Sequence, residues 1–313
     1  MKELKGHGVA LITPFKNDGA IDFEAIPKII DHLINGGVNY LVILGTTAES
    51  ASLSNDEKKL LIAAIVDCNA GRLPLVIGIG GNNTHQVIED IVSIDLSPFS
   101  AVLSVSPYYN KPNQEGLYQH FQAIARNSSL PVIIYNVPSR TGVNLTPETV
   151  LRLASDFDKI VAIKEASGDF QQAQILLKTC PKNFLVLSGD DEMSLPMLLA
   201  GAKGVISVIG NALPKVYTKI VKNGIDRDAE KAYQTQYQIL NLIRTIYDEG
   251  NPTGIKVLMK ALGLCQNQLR LPLPFSSSLL HQLLHLSNRL QRNRILGKPQ
   301  HLIWPCTNDS SGF

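Results

Sequence analysis

Eight short apolar runs of strand length punctuate the chain, at residues 9–13, 40–44, 75–79, 101–105, 132–135, 160–164, 184–187 and 205–208. Most are continuously apolar rather than alternating, the pattern of strands covered on both faces. Between them lie stretches with amphipathic helical spacing. Helix starts are signalled by Asp22 before Phe23 and Glu24, by Ser54 with Glu57 three residues on, by Thr146-Pro147-Glu148, and by Asp190-Asp191 before Glu192. Eight strands alternating with helices predict an α/β fold, a (β/α)8 TIM barrel, over residues 1–212. From Pro214 onward only helical patterns follow, at 216–222, at 228–247, and from Asn251-Pro252-Thr253-Gly254 to 262. They predict a C-terminal helical extension over 213–290, ending in a leucine-rich helix at 276–290. Residues 291–313 lack periodicity and read as a poorly ordered tail.

One apolar run contains a lysine. In Ile160-Val161-Ala162-Ile163-Lys164-Glu165, alternation places Lys164 on the face of Ala162 and Ile160, pointing into the barrel, with Glu165 on the opposite face. A buried ammonium without a partner is expensive and tends to lose its proton. A drop of roughly three units from about 10.4 corresponds to about 4 kcal/mol and would give the neutral amine that attacks ketones to form a Schiff base. An ion pair with Glu165 is the duller alternative.

Other strands also end in polar or aromatic residues. The run at 132–135 ends in Tyr135 and the loop Asn136-Val137-Pro138-Ser139-Arg140-Thr141-Gly142; 40–44 runs into Gly45-Thr46-Thr47-Ala48-Glu49-Ser50; 101–105 runs into Ser106-Pro107-Tyr108-Tyr109-Asn110-Lys111-Pro112. The carboxyl edge of a parallel barrel is where active sites are built. Taken singly, the tyrosines could be core or interface aromatics, Arg140 a surface arginine and Thr46-Thr47 a helix cap. Gly78-Ile79-Gly80-Gly81 could cradle a phosphate, but a tight turn explains it as well.

Bulk composition narrows the field. Twenty-nine Lys and Arg against 27 Asp and Glu leave a net charge of +2, which gives no reason to expect nucleic acid or an acidic membrane surface as partner. Hydrophobic residues make up 44% of 313, enough for a large core. No apolar run is long enough to span a bilayer, and the N-terminus lacks a signal-peptide core, so a soluble cytoplasmic protein is expected. Cys68, Cys180, Cys265 and Cys306 show no metal or disulfide spacing and are expected as free thiols. His281 and His285 have a chelating i, i+4 spacing but no carboxylate partner in the motif, so no metal is expected.

The ordered motifs Gly45-Thr46-Thr47-Ala48-Glu49-Ser50, Tyr135 to Gly142, and Ile163-Lys164-Glu165-Ala166-Ser167-Gly168 make the chain resemble the dihydrodipicolinate synthase (4-hydroxy-tetrahydrodipicolinate synthase) family over residues 4–273. That family belongs to the pyruvate-dependent class I aldolases, which include N-acetylneuraminate lyase. Ser106 to Pro112 and Leu187-Ser188-Gly189-Asp190-Asp191 add to the likeness, while Ala48 replaces a usual glycine. The resemblance implies that Lys164 forms a Schiff base with pyruvate, and that the derived enamine attacks L-aspartate 4-semialdehyde on the diaminopimelate route to lysine. No cofactor is needed beyond the lysine–pyruvate imine. It further implies Tyr135 as acid/base, Thr47 as relay and Tyr109 as third member, contributed by a neighbouring subunit. Thr46 and Thr47 would hold the pyruvate carboxylate, Gly189 and Ile206 would line its pocket, and Arg140 would grip the aldehyde's carboxylate. The expected assembly is a homotetramer, a dimer of tight dimers.

Two alternatives remain open at this point. A related aldolase acting on a keto-deoxy sugar or sialic acid would share Lys164 and Tyr135, but Arg140 suits a carboxylate better than a sugar chain. A catalytically silent barrel used as a binding protein would be expected to have lost Lys164, Tyr135 or the threonines. In relatives that are inhibited by lysine, the effector site matches Ser50, Ala51, Asn82 and Tyr108 here. Asn55 and Lys58 stand in place of two histidines, and Gln86 in place of a glutamate. Inhibition by L-lysine is therefore expected to be weak or absent.

Overall fold

The structure, a computed structural model, describes residues 2–274. Strands β1 (Gly6–Ala10), β2 (Tyr40–Ile43), β3 (Leu75–Gly78), β4 (Ala101–Val105), β5 (Val132–Asn136), β6 (Ile160–Glu165), β7 (Leu185–Ser188) and β8 (Gly204–Ser207) pair in parallel in chain order. β8 pairs back onto β1, closing the barrel. The helices are α1 (Ala25–Asn35), α2 (Asn55–Asn69), α3 (Thr84–Ser93), α4 (Gln114–Asn127), α5 (Pro138–Thr141), α6 (Pro147–Asp156), α7 (Phe170–Thr179), α8 (Ser194–Ala200), α9 (Pro214–Ile225), α10 (Ala229–Thr245) and α11 (Thr253–Ala261). The (β/α)8 expectation holds.

Both strand faces are buried. One set, including Val42, Val76, Leu103, Ile133, Ala162, Leu187 and Ile206, fills the barrel interior. The other, including Leu41, Ile77, Val102, Ile134, Ile163 and Val205, packs outward against the helices. Tyr40 plugs the interior and donates its hydroxyl to the Val205 carbonyl at 3.0 Å. Gly8 makes room for that ring: a Cβ there would stand 2.2 Å from Tyr40 Cζ.

Two details depart from simple periodicity. Ile160 was expected on the inward face with Ala162, but it belongs to the outer layer. The register between β5 and β6 slips after Val132, so Val132 pairs with Ile160 and Ile133 with Ala162. The extra residue, Val161, resets the alternation so that Ala162 and Lys164 face inward. β1 runs from Gly6 to Ala10 rather than over 9–13: Gly6, with φ 90° and no room for a Cβ beside Asn39, and Gly8, with no room beside Tyr40, hide the strand from a hydropathy pattern.

The helix signals mostly hold. Ser54 and Glu57 form a reciprocal capping box on α2. Asp190 accepts from the N–H groups of Glu192 and Met193, but only a turn follows and α8 begins at Ser194. α9, expected to open the extension, packs on α8, α1 and β1 and completes the outer ring. Within the described residues the extension is α10, α11 and the segment to 274, which folds back toward the mouth of the barrel. The leucine-rich stretch at 276–290, His281, His285 and the tail at 291–313 lie outside the described residues. Among the described residues no helix is long and apolar enough to cross a membrane.

Candidate active site

Lys164 lies at the carboxyl end of β6, inside the barrel and 4% exposed. Its neighbours in register are Tyr135 on β5 and Leu187 on β7. Its Nζ stands 4.2 Å from the centre of the Tyr135 ring, and among the described residues it makes no ion pair. Glu165 points the other way, as alternation requires. Its carboxylate accepts from Asn136, Gln172 and the Ser167 N–H, all behind the barrel wall. The duller reading of Lys164, a salt bridge to Glu165, is therefore absent. Gly189 follows β7 and packs on the lysine stem: a Cβ there would lie 2.7 Å from Lys164 Cε. Ile206 on β8 contributes to the interior floor.

The turn after β2 carries the paired threonines. Leu44 (φ 53°) and Glu49 (φ 53°) adopt left-handed conformations at either end of the turn, an uncommon strain for non-glycine residues. Thr13 Oγ1 donates to the Ala48 carbonyl at 2.7 Å and ties the turn to the segment after β1. Glu49 is buried and holds Lys256 Nζ at 2.5 Å and the Arg270 N–H at 3.1 Å. Arg270 in turn meets Glu57 and the Gly19 and Ser52 carbonyls. Lys256 and Arg270 both lie over the Phe15 ring. This network fixes the threonine turn to the C-terminal segment, and nothing in the local sequence announces it.

Thr46 and Thr47 have different surroundings. Thr46 is half-buried and lines a cavity of about 1070 Å³ with Tyr135, Arg140, Tyr108 and Asn251. Thr47 is buried, and its hydroxyl accepts from Asn251 Nδ2 at 3.0 Å. Arg140, on α5, donates from Nη2 to the Asn251 carbonyl at 2.9 Å; among the described residues no carboxylate pairs with it. Asn251, which the sequence pattern marks only as the start of a helix, is thus a residue of the candidate site.

Tyr109 is not brought to Lys164 within one chain. It follows β4 with φ 73° and is 88% exposed. Of the residues that the resemblance matches to an effector site, Ser50, Ala51, Asn55, Lys58 and Tyr108 line the same cavity. Asn82 accepts from Asn110 through its carbonyl, and Gln86 turns along its own helix to Asp90 at 3.0 Å. Gly78 and Gly80 are explained by packing: a Cβ at Gly78 would stand 2.5 Å from the Leu44 carbonyl oxygen, and one at Gly80 would stand 2.8 Å from the Val105 nitrogen.

Buried titratable groups flank the barrel. Burial pushes Asp191 up to about 6, although its carboxylate accepts from the Val208 and Ile209 N–H groups and from Tyr247. Burial lowers His7 to about 3 and His120 to about 4. Cys68, Cys180 and Cys265 are free, and burial raises Cys180 to about 11. Among the described residues no cluster of His, Cys, Asp and Glu has the makings of a metal site.

A family model described as the dihydrodipicolinate synthetase family matches residues 3–287. The chain is 58% identical to the 4-hydroxy-tetrahydrodipicolinate synthase of Flavobacterium psychrophilum over 273 residues, 87% of this chain and 93% of that protein. The dihydrodipicolinate synthase of Acinetobacter baumannii, solved chloride-inhibited and complexed with pyruvate, aligns with a TM-score of 0.88 at 38% identity, covering 94% of this chain and 100% of that one. The enzyme from Cyanidioschyzon merolae, solved with lysine bound, aligns with a TM-score of 0.87 at 32% identity over 94% and 99% of the two chains.

Proposed function

The chain belongs to the dihydrodipicolinate synthetase family, and from that premise we propose that it is a lyase condensing pyruvate with L-aspartate 4-semialdehyde to 4-hydroxy-tetrahydrodipicolinate, on the diaminopimelate route to lysine. The observation that carries this reading is Lys164: an amine buried in the mouth of the barrel, unpaired among the described residues and facing a phenol. Its Nζ adds to the pyruvate ketone, water leaves, and the imine forms. Loss of a methyl proton gives the enamine, whose carbon attacks the aldehyde. The semialdehyde's own amine then displaces Lys164 and closes the ring.

In this reading Tyr135, whose ring centre lies 4.2 Å from Lys164 Nζ, serves as acid and base for the carbinolamine oxygen. Thr46 shares the cavity wall with Tyr135, while the Thr47 hydroxyl is engaged by Asn251. We therefore assign the relay hydroxyl, expected at Thr47, to Thr46, and give Thr47 to the pyruvate carboxylate. Neutral hydroxyls pass a proton without placing a charge beside the imine. Arg140, whose guanidinium donates only to the Asn251 carbonyl among the described residues, meets the semialdehyde carboxylate with its other N–H groups. A polyhydroxylated sugar aldehyde would leave that guanidinium without an anion, which disfavours the keto-deoxy-sugar alternative. Gly189 and Ile206 shape the pyruvate pocket.

The exposure of Tyr109 supports a relay completed by a second subunit, within a tetramer built from tight dimers. Free thiols agree with a cytoplasmic setting. No cofactor beyond the lysine imine enters this chemistry. Borohydride added with pyruvate is expected to attach the reduced adduct to Lys164 and abolish activity. Labelling that persists in Lys164→Ala would sink the assignment.

A further inference from the structure

Asn251 stands between the two substrate-binding groups of the proposed reaction and touches both, through different atoms. Its main-chain carbonyl accepts from Arg140 Nη2 at 2.9 Å, and its side-chain Nδ2 donates to Thr47 Oγ1 at 3.0 Å. It is 9% exposed, and its Oδ1 has no partner among the described residues. A threonine hydroxyl has one proton to give and two lone pairs to receive with. Among the described residues Thr47 Oγ1 has no hydrogen-bond partner other than Asn251. With the amide filling one lone pair, the Thr47 proton is left to point elsewhere. Turning the amide over would bury two unpartnered N–H groups in place of one carbonyl oxygen, the worse arrangement.

We infer that Asn251 is a positioning residue: its amide aims the Thr47 O–H at the pyruvate carboxylate, while its carbonyl separately anchors Arg140. The inference rests on the pyruvate reading given above. A carboxylate only accepts, so a hydroxyl already serving as acceptor offers it the matching donor, and the chain from amide to hydroxyl to carboxylate is polarised in one direction. The same residue fixes the arginine through an atom that no side-chain replacement removes. Replacing the side chain should therefore separate the two substrates.

The test is steady-state kinetics of Asn251→Ala, Asn251→Asp, Thr47→Val and the double variant Asn251→Ala with Thr47→Val. Loss of one hydrogen bond should raise KM for pyruvate about fivefold in Asn251→Ala, with KM for the semialdehyde essentially unchanged. Asn251→Asp should raise the pyruvate KM further, since its carboxylate draws the Thr47 proton toward itself and repels the substrate's charge. The double variant should match Thr47→Val, because the amide acts only through that hydroxyl. A parallel rise in both KM values, or effects that multiply in the double variant, would overturn the inference by showing that Asn251 merely holds the loop together. Borohydride trapping at saturating pyruvate separates the two levels: wild type and variants should all label Lys164, and a wild type that does not label would bring down the functional reading instead.

Discussion

Replacing Gly189 and replacing Arg140 should separate the two halves of the proposed reaction. A Cβ at Gly189 would stand 2.7 Å from Lys164 Cε and 2.9 Å from Cγ, so Gly189→Ala must push the nucleophile off its line of attack. The fold should survive while kcat/KM falls by about 10²-fold, the usual penalty for a misplacement near 1 Å. Circular dichroism together with borohydride labelling checks this, and wild-type labelling rates in the variant would count against it. Arg140→Ala should leave pyruvate labelling intact and lower kcat/KM for the semialdehyde by roughly 10- to 100-fold, the size of a lost charge-assisted contact. Equal loss of both steps would make Arg140 structural. Lys164, Tyr135 and Arg140 are legible in the sequence because each interrupts or follows a buried strand. The different surroundings of Thr46 and Thr47 are not, since neighbouring identical residues differ only in what folds against them.

At the scale of elements, the tie between the threonine turn and α11 holds the site together. Lys256 is fully buried against Glu49, so Lys256→Met leaves a carboxylate in the core with only the Arg270 N–H to meet it. Breaking such a pair from one side costs about 3–5 kcal/mol. Urea unfolding should show that loss, and Lys256→Met with Glu49→Leu should recover much of it. Buried histidines govern the response to acid. His7 is held between Ser207 and Thr218, and His120 has an Nε2 without a partner among the described residues. Both have folded pKa values below the unfolded 6.5, so the stability they contribute is present above pH 6.5 and is lost as pH falls toward 4. Asp191 works in the opposite sense: its raised pKa makes the fold gain as pH falls from 6 toward 3.8. Two histidines outweigh one aspartate, and a net loss of about 4 kcal/mol is expected between pH 6.5 and 4. Denaturant midpoints across that range check it; a flat profile refutes it, and Asp191→Asn should steepen the decline. Strand positions were readable from apolar runs, but the Val161 slip and the start of β1 were not, because both depend on which residues a neighbouring strand offers.

For the whole molecule, the question is what its large cavity responds to. Ser50, Asn55, Lys58 and Tyr108 line it, while Gln86 is turned to Asp90. A lysine ligand would meet the like charge of Lys58 and find no carboxylate at Gln86, so inhibition by L-lysine should be weak, about tenfold or more below that of an enzyme with the glutamate. Titrating lysine against initial rate at fixed pyruvate tests this; sub-millimolar inhibition would contradict it, and Gln86→Glu with Lys58→His should strengthen binding. The barrel itself was legible from eight runs in order, and the motifs from their places after those runs. Asn251, Lys256 and Arg270 were not, since their partners lie more than 100 residues away in the chain. That distance has a consequence for synthesis. Thr46 and Thr47 are among the first parts of the site to leave the ribosome, yet the groups that hold their turn are made some 200 residues later. A nascent chain that has emerged as far as β8 holds every strand of the barrel but none of Asn251, Lys256 and Arg270, so the threonine turn is expected to be locked only once those residues have been made.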